Sequence, residues 1–187
     1  MRSDAGSSAL VRHWVGQRSI LSDLGLVLAF SLLIGLLAHL VIPLPFTPVP
    51  VTGQTFGVLL TGAVLGSRLG IATLLAYIVE GLAGLPVFAA GTRGPATYGY
   101  LAGFVVAAFI VGWLCERGWD RGALRIVAAM VVGEVAIYVF GLLWLARFVP
   151  ASKLLALGFF PFLLGDTVKL VAAAVAAGGG RRLTRGG

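Results

Sequence analysis

One cysteine, two histidines and seven acidic residues are all that this 187-residue chain offers to metal, redox or acid–base chemistry. Cys115 stands alone, which excludes a disulfide within the chain, and no second Cys or His lies at metal-ligand spacing from it. His13 and His39 are too far apart for a local motif and read as interfacial residues. A glycine-rich phosphate cradle ending in Lys-Ser or Lys-Thr is missing, so ATP hydrolysis is not this chain's own work. Asp166 and Glu134 come nearest to a catalytic carboxylate pair, but no nucleophile and base stand at a persuasive spacing; neither an enzyme nor a cofactor is expected. Charge of either sign is sparse, at 11% of residues, whereas 59% are hydrophobic and the mean hydropathy is +1.01. That balance excludes a soluble globular domain and implies a protein embedded in a lipid bilayer. The net charge of +7 does not call for nucleic acid, because the basic residues are scattered between apolar runs and gather at the two ends. Membrane orientation explains them.

What the chain has is apolar length. A span needs about 20 apolar residues, and the runs and breaks predict an all-α bundle of six transmembrane helices in a single membrane domain, 1–187. A cytoplasmic tail, 1–18, precedes the bundle at 19–178, and a basic tail, 179–187, follows it. The first helix, 20–42, is too long for the apolar core of a signal peptide and ends in prolines, so it reads as a retained span. Gly25 and Ala29, then Ser31 and Gly35, recur at four-residue spacing on it, which lets another helix backbone approach closely, inside the bundle or from a partner. The second helix, 54–65, breaks at Gly66-Ser-Arg68-Leu-Gly70 and a third runs on to 79. The fourth covers about 97–115, the fifth 126–146 and the sixth 159–177. Ten of the 14 Lys and Arg residues fall in the tails and in the turns at Arg68 and 117–125, which predicts that both ends and those turns are cytoplasmic.

Between the first two helices lies Pro43-Leu-Pro-Phe-Thr-Pro-Val-Pro-Val-Thr-Gly-Gln54, uncharged and with four prolines. Helix cannot persist through it. A stiff outer loop is predicted, with Phe46 as an apolar residue and Thr47, Thr52 and Gln54 as the polar groups able to cap a ligand cavity. Arg93 sits in a second outer loop against the orientation bias, where it can meet an anion from outside or lipid headgroups. Tyr98 opens the fourth helix at the outer interface, with its hydroxyl available either to that interface or to a ligand.

Three charges fall inside spans. Asp166 and Lys169 are three residues apart, hence on one helix face, where they either pair as interhelical glue or line a polar path together. Glu134 lies about 12 to 14 Å along its helix, near mid-membrane, where it either bonds across helices or lines a cavity. Lys169 favours a structural partnership for it.

Five blocks in order carry a family resemblance: Pro43-Leu-Pro-Phe-Thr-Pro-Val-Pro-Val-Thr-Gly-Gln-Thr, Gly-Leu-Pro-Val-Phe-Ala, Gly-Pro-Ala-Thr-Tyr-Gly-Tyr-Leu-Ala-Gly-Phe, Ile-Tyr-Val-Phe-Gly-Leu-Leu-Trp-Leu and Pro-Phe-Leu-Leu-Gly-Asp-Thr-Val-Lys. Over about residues 20–177 the chain resembles the biotin-specific substrate-binding subunits of energy-coupling factor transporters, the BioY family. One departure is that Gly25 and Ala29 stand where such subunits often carry paired docking alanines. The resemblance implies a six-helix subunit of the plasma membrane, of bacterial inner-membrane type, that captures biotin from outside. It also implies partners: a transmembrane coupling subunit and two ATP-binding-cassette ATPases.

Biotin carries a ureido ring with two N–H donors and one carbonyl, an apolar middle and a carboxylate. Asp166 suits the N–H groups, and Lys169 or Arg93 the carboxylate or carbonyl. Phe46, Phe88 and Phe162 are candidate walls, and Thr52, Gln54 and Tyr98 orienting groups. An autonomous proton-coupled vitamin carrier, with Glu134 relaying protons, is the alternative reading.

Overall fold

The computed structural model of the protein describes residues 19–89 and 95–185. Helix α1 (Ile20–Ala38) opens on a reciprocal cap: the Ser19 hydroxyl accepts the Ser22 amide and the Ser22 hydroxyl accepts the Ser19 amide, each at 3.2 Å. Two otherwise orphaned donors are satisfied there. Its 19 residues cover about 28 Å, close to the thickness of a hydrocarbon core. Leu21, Leu24, Leu28, Leu32 and Leu36 point outward, while Ser31, Ile34, Gly35 and Ala38 face the bundle. The helix stops short of the expected 42. Pro43 disfavours helix in the residue before it, and β1 (Val41–Ile42) instead pairs antiparallel with β2 (Val51–Thr52), Val41 opposite Thr52. The proline segment between them is the loop of this small ribbon. It is pinned by the Thr47 hydroxyl, which donates to the Leu157 carbonyl at 2.6 Å.

The expectation of a bundle of six transmembrane helices is corrected by the next element. Residues expected to form two helices joined by a turn run as one continuous element, α2 (Gln54–Leu82), 29 residues long, whose two helical arms meet at a kink at the single non-helical residue, Gly66. The described residues therefore contain five helices long and apolar enough to cross a membrane, not six. The physical reason is that the anticipated turn never unwinds beyond one residue. Gly66 takes φ 82° and ψ −180°, a conformation essentially restricted to glycine, and the helix resumes at once. Glu116 makes this possible by accepting both the amide (2.7 Å) and the hydroxyl of Ser67. A carboxylate thus caps the restarted helix where its free amides are. The bend at Gly66 is sharp: Gln54 and Tyr77 hydrogen-bond to one another, although in a straight helix they would be about 34 Å apart.

After a 3₁₀ turn at Pro95–Thr97 come α3 (Tyr98–Glu116) and, beyond Trp119–Arg121, α4 (Ala123–Leu145). The bend in α2 packs on α3, where Gly112 lies so close to the backbone of Gly66 and Ser67 that a Cβ would collide with it. Such small-residue contacts let helices approach where lipid offers no hydrophobic drive for association. A short helix, α5 (Leu154–Gly158), leads into the last one, α6 (Phe160–Arg185). Two apolar clusters form the interior. One, around Leu59, Val111, Cys115, Met130 and Ala173, holds the α3 C-terminal half against α4 and α6. The other, with Val58, Leu74, Tyr77, Tyr100, Phe104, Ile137, Tyr138 and Phe162, contains the polar site.

Candidate functional site

The site grows from one turn of α6. Asp166 and Lys169 share a face there, and the Lys169 ammonium donates to Asp166 Oδ1 at 2.5 Å. Asp166 is buried and collects two more donors from other helices. Tyr138 of α4 gives its hydroxyl to Oδ2 at 2.5 Å, and Thr55 of α2 donates to Oδ1 at 3.3 Å. Three helices therefore meet on one carboxylate, each offering a group that stabilises its charge. A buried anion with three donors is tolerated where an isolated one would not be.

A second polar chain runs beside it. Thr52, at the end of β2, donates its hydroxyl to Gln54 Oε1 at 3.0 Å and accepts the Gln54 amide at 3.3 Å. Gln54 is only 2% exposed and donates from Nε2 to the Tyr77 hydroxyl at 2.7 Å, which passes its own proton to the Val87 carbonyl at 3.1 Å. The relay ties the proline ribbon, both arms of α2 and the segment after α2 into one unit. Tyr100 does similar work by donating to the Gly158 carbonyl at 2.8 Å, which fixes the end of α5.

Between these groups is a cavity of about 50 Å³. Its polar lining is Thr52, Gln54, Thr55, Thr97, Tyr100, Tyr138, Asp166 and Lys169, and its apolar walls are Val49, Pro50, Leu101, Phe104, Ile137 and Phe162. Acceptors, hydroxyls, an ammonium and apolar surface converge here, as in sites for small polar molecules, but such sites usually measure about 300–1,000 Å³. A guest larger than a few water molecules must part the walls.

The structure brings Asp166, Lys169, Thr52, Gln54 and Phe162 together at this cavity. It leaves other expected residues apart. Phe46 is 58% exposed on the proline loop, and Tyr98 is 41% exposed in a surface groove beside Trp144 and Arg147. Phe88 stacks edge-on against Tyr77, 5.4 Å between ring centres, so it supports the relay from behind rather than lining the cavity. Arg93 lies outside the described residues. Tyr100, Tyr138, Thr55, Thr97 and Phe104 were not singled out from the sequence. A hint existed for Tyr138, four residues from Glu134 on one helix face. Glu134 does not pair with Lys169 as expected: the ammonium sits on Asp166, and the buried Glu134 carboxyl lies beside the Asp166 carboxyl instead.

The sequence model of the BioY family matches residues 8–186. The chain belongs to the BioY family. Among relatives of this BioY-family chain, a biotin transporter BioY of Rhizobium etli is 37% identical over 82% of this chain and 89% of its own length. A biotin transporter BioY of Thermotoga maritima is 39% identical, over 73% and 83% respectively. The fold is similar to the crystal structure of the S-component for biotin from an ECF-type ABC transporter, with a TM-score of 0.77 and 25% identity over 89% of this chain and 93% of that one. Five long apolar helices and this membership place the BioY-family chain in the plasma membrane as a multi-pass protein.

Proposed function

We propose that the chain is the biotin-binding membrane subunit of an energy-coupling factor transporter: a transport subunit rather than an enzyme, which takes up biotin and passes it on with an ATP-driven module. Membership of the BioY family carries this reading, and a polar, buried cavity in a membrane bundle supports it. The wider assembly that family membership implies comprises a substrate-binding subunit, a transmembrane coupling subunit and ATPases; two ATP-binding-cassette ATPases per complex is our finer expectation.

At the cavity, Asp166 accepts from the ureido N–H groups, Lys169 faces the carbonyl or the carboxylate, and Thr52 and Gln54 orient the ring against Phe162. Tyr100, Tyr138 and Phe104 join this set because they line the same space. Binding is coupled to widening of the cavity, since its present volume admits only water-sized guests. Equilibrium binding of biotin to the detergent-purified chain, with a panel of other vitamins and with and without ATP, tests the reading. Selective biotin binding that ATP does not alter is expected. No biotin binding by a folded, monodisperse sample would sink it. The buried Glu134 beside Asp166 keeps the proton-coupled carrier as a second reading. Biotin uptake by proteoliposomes containing this chain alone, driven by a proton gradient, would favour that carrier.

A further inference from the structure

Of the two tyrosines that open α3, the polar cavity uses only Tyr100. Tyr98 belongs to a separate groove of about 300 Å³ between α3 and α4, which shares no residue with that cavity. Gly99 and Ala102 form its floor and leave it unfilled, and its wall is one face of α4, with Phe140, Leu143 and Trp144, continued by Arg147 just past the helix end. Their spacing of i, i+3, i+4 and i+7 sets these four in a row. The helices run antiparallel here: a Cβ on Gly99 would strike Trp144 and Phe140, and one on Gly103 would strike Ile137. Tyr98 and Arg147 therefore mark the rim of the bundle, while Ala102 and Phe140 lie deeper, Phe140 about 8 Å in from Leu145 along α4.

The rim is prepared for an anion. Trp144 donates its indole N–H to the Pro95 carbonyl at 2.6 Å, which fixes the ring. The Arg147 guanidinium stacks on that ring, 4.4 Å from its centroid. Stacking engages the face of a guanidinium and leaves the N–H donors in its plane available. Among the described residues no carboxylate lies within ion-pair distance of Arg147, and no acid lines the groove. Deeper in, the groove is open and apolar, with Phe140 42% and Leu143 70% exposed. From rim to depth the order is cation and hydroxyl, then a bare apolar furrow within a membrane span. A phospholipid has the same order, its phosphate at the interface and its chains in the hydrocarbon core. A partner helix would need small residues along its track, and Phe140, Leu143 and Trp144 put bulk there.

We propose that this groove is a binding site for an anionic phospholipid, whose phosphate rests on the Arg147 guanidinium and the Tyr98 hydroxyl and one of whose acyl chains lies along Ala102, Phe140 and Leu143. Arg147 is the one charged side chain of the groove, so a headgroup with no ammonium of its own is the better complement. The site stands independently of the biotin reading.

The test strips the full chain of lipid in detergent and follows phospholipid binding by native mass spectrometry, with thermal unfolding of the same samples. One phosphatidylglycerol per chain is expected to be retained and to raise the unfolding temperature. Diacylglycerol, which lacks the phosphate, and glycerol phosphate, which lacks the chains, should each bind about 10-fold more weakly or worse. Arg147→Gln should weaken retention of the first phosphatidylglycerol about 10-fold or more. Ala102→Phe fills the groove while keeping the guanidinium, and should do the same. Arg117 supplies the control: it also stacks on a tryptophan, Trp113, but lines no part of this groove, and Arg117→Gln should change retention less than about twofold. Unchanged retention in Arg147→Gln or in Ala102→Phe overturns the proposal. Diacylglycerol or glycerol phosphate bound as tightly as phosphatidylglycerol overturns it too, as does a dimer that Ala102→Phe dissolves, which would give the groove to a second copy of the chain. Ala102 is exposed, so its variant should fold; if it does not, Leu143→Trp fills the groove from the other wall.

Discussion

Removing either charge of the Asp166–Lys169 pair should not cost the same, and the difference comes from Glu134. Lys169→Met leaves two buried acids, Asp166 and Glu134, with no ammonium between them. Truncating one partner of a buried ion pair typically costs about 3–5 kcal/mol. At roughly 2–4 °C per kcal/mol for a chain of this size, the unfolding temperature should fall by roughly 6–20 °C. Asp166→Asn keeps the side-chain shape and leaves Lys169 a second acid within reach of its charge, so its loss should be clearly smaller. Asp166→Asn with Lys169→Met should recover much of what Lys169→Met loses, because one stranded acid replaces two. Affinity should follow another rule. Each single change removes a charge-assisted contact to biotin worth about 1.5–3 kcal/mol, or roughly 10- to 150-fold, and the double variant should bind no better than the weaker single one. Unfolding followed by tryptophan fluorescence in detergent, read beside calorimetric binding, gives both numbers from one preparation. A double variant with near-native affinity would refute the assignment of this turn to the ligand and leave the pair as glue between helices.

Three further outcomes follow from single contacts. Gly66→Ala forces a Cβ into a positive-φ conformation beside Gly112 and should destabilise by about 1–3 kcal/mol; an unchanged unfolding temperature would mean the bend is not held as described. Tyr77→Phe takes away the acceptor of the buried Gln54 amide and the donor to Val87; an unsatisfied buried group costs about 1–3 kcal/mol, so unfolding should shift measurably, and biotin affinity with it if the relay holds Thr52 and Gln54 in place. Phe46→Ala and Tyr98→Phe, both outside the cavity lining, should leave affinity within about twofold of wild type, and a tenfold loss in either would show that a different surface captures the ligand.

The apolar runs show in the sequence because bilayer thickness imposes a minimum length on them, and the Asp166–Lys169 pair shows because charge inside such a run is costly. The helix count does not show in the same way. Gly66-Ser-Arg68-Leu-Gly70 has the composition of a turn, and a turn with lone Ser67 donors would need several unwound residues to satisfy them. What holds the helix together is Glu116, 49 positions away, which reaches back to the Ser67 amide and hydroxyl. A cap supplied by another helix leaves no local signature. Pro43 has the converse effect: its restriction of the preceding residue is local, yet the pairing of Val41 with Thr52 that follows from it is not.

The choice between Tyr98 and Tyr100 carries the same lesson at the site. On a helix the two point about 160° apart, so only one can face the interior, and in a soluble protein the polar side of the helix would identify it. A membrane helix is apolar all round, since its outer face meets lipid. In α3 the phase is set instead by small residues: Gly99, Gly103 and Ala107 lie along the packed side, and Tyr100 turns inward to reach the Gly158 carbonyl while Tyr98 stays at the surface. Thr55 and Tyr138 stayed inconspicuous for a related reason. A threonine or a tyrosine in an apolar helix is common, and these two acquire meaning only when the bend in α2 and the packing of α4 on α6 bring them to one carboxylate. Phe46 shows the opposite case, exposed and outside the cavity lining. Its place among four prolines suggested a rigid cap over the cavity, but a rigid loop fixes the backbone without deciding which side chain points in, and Val49 and Pro50 line the cavity instead.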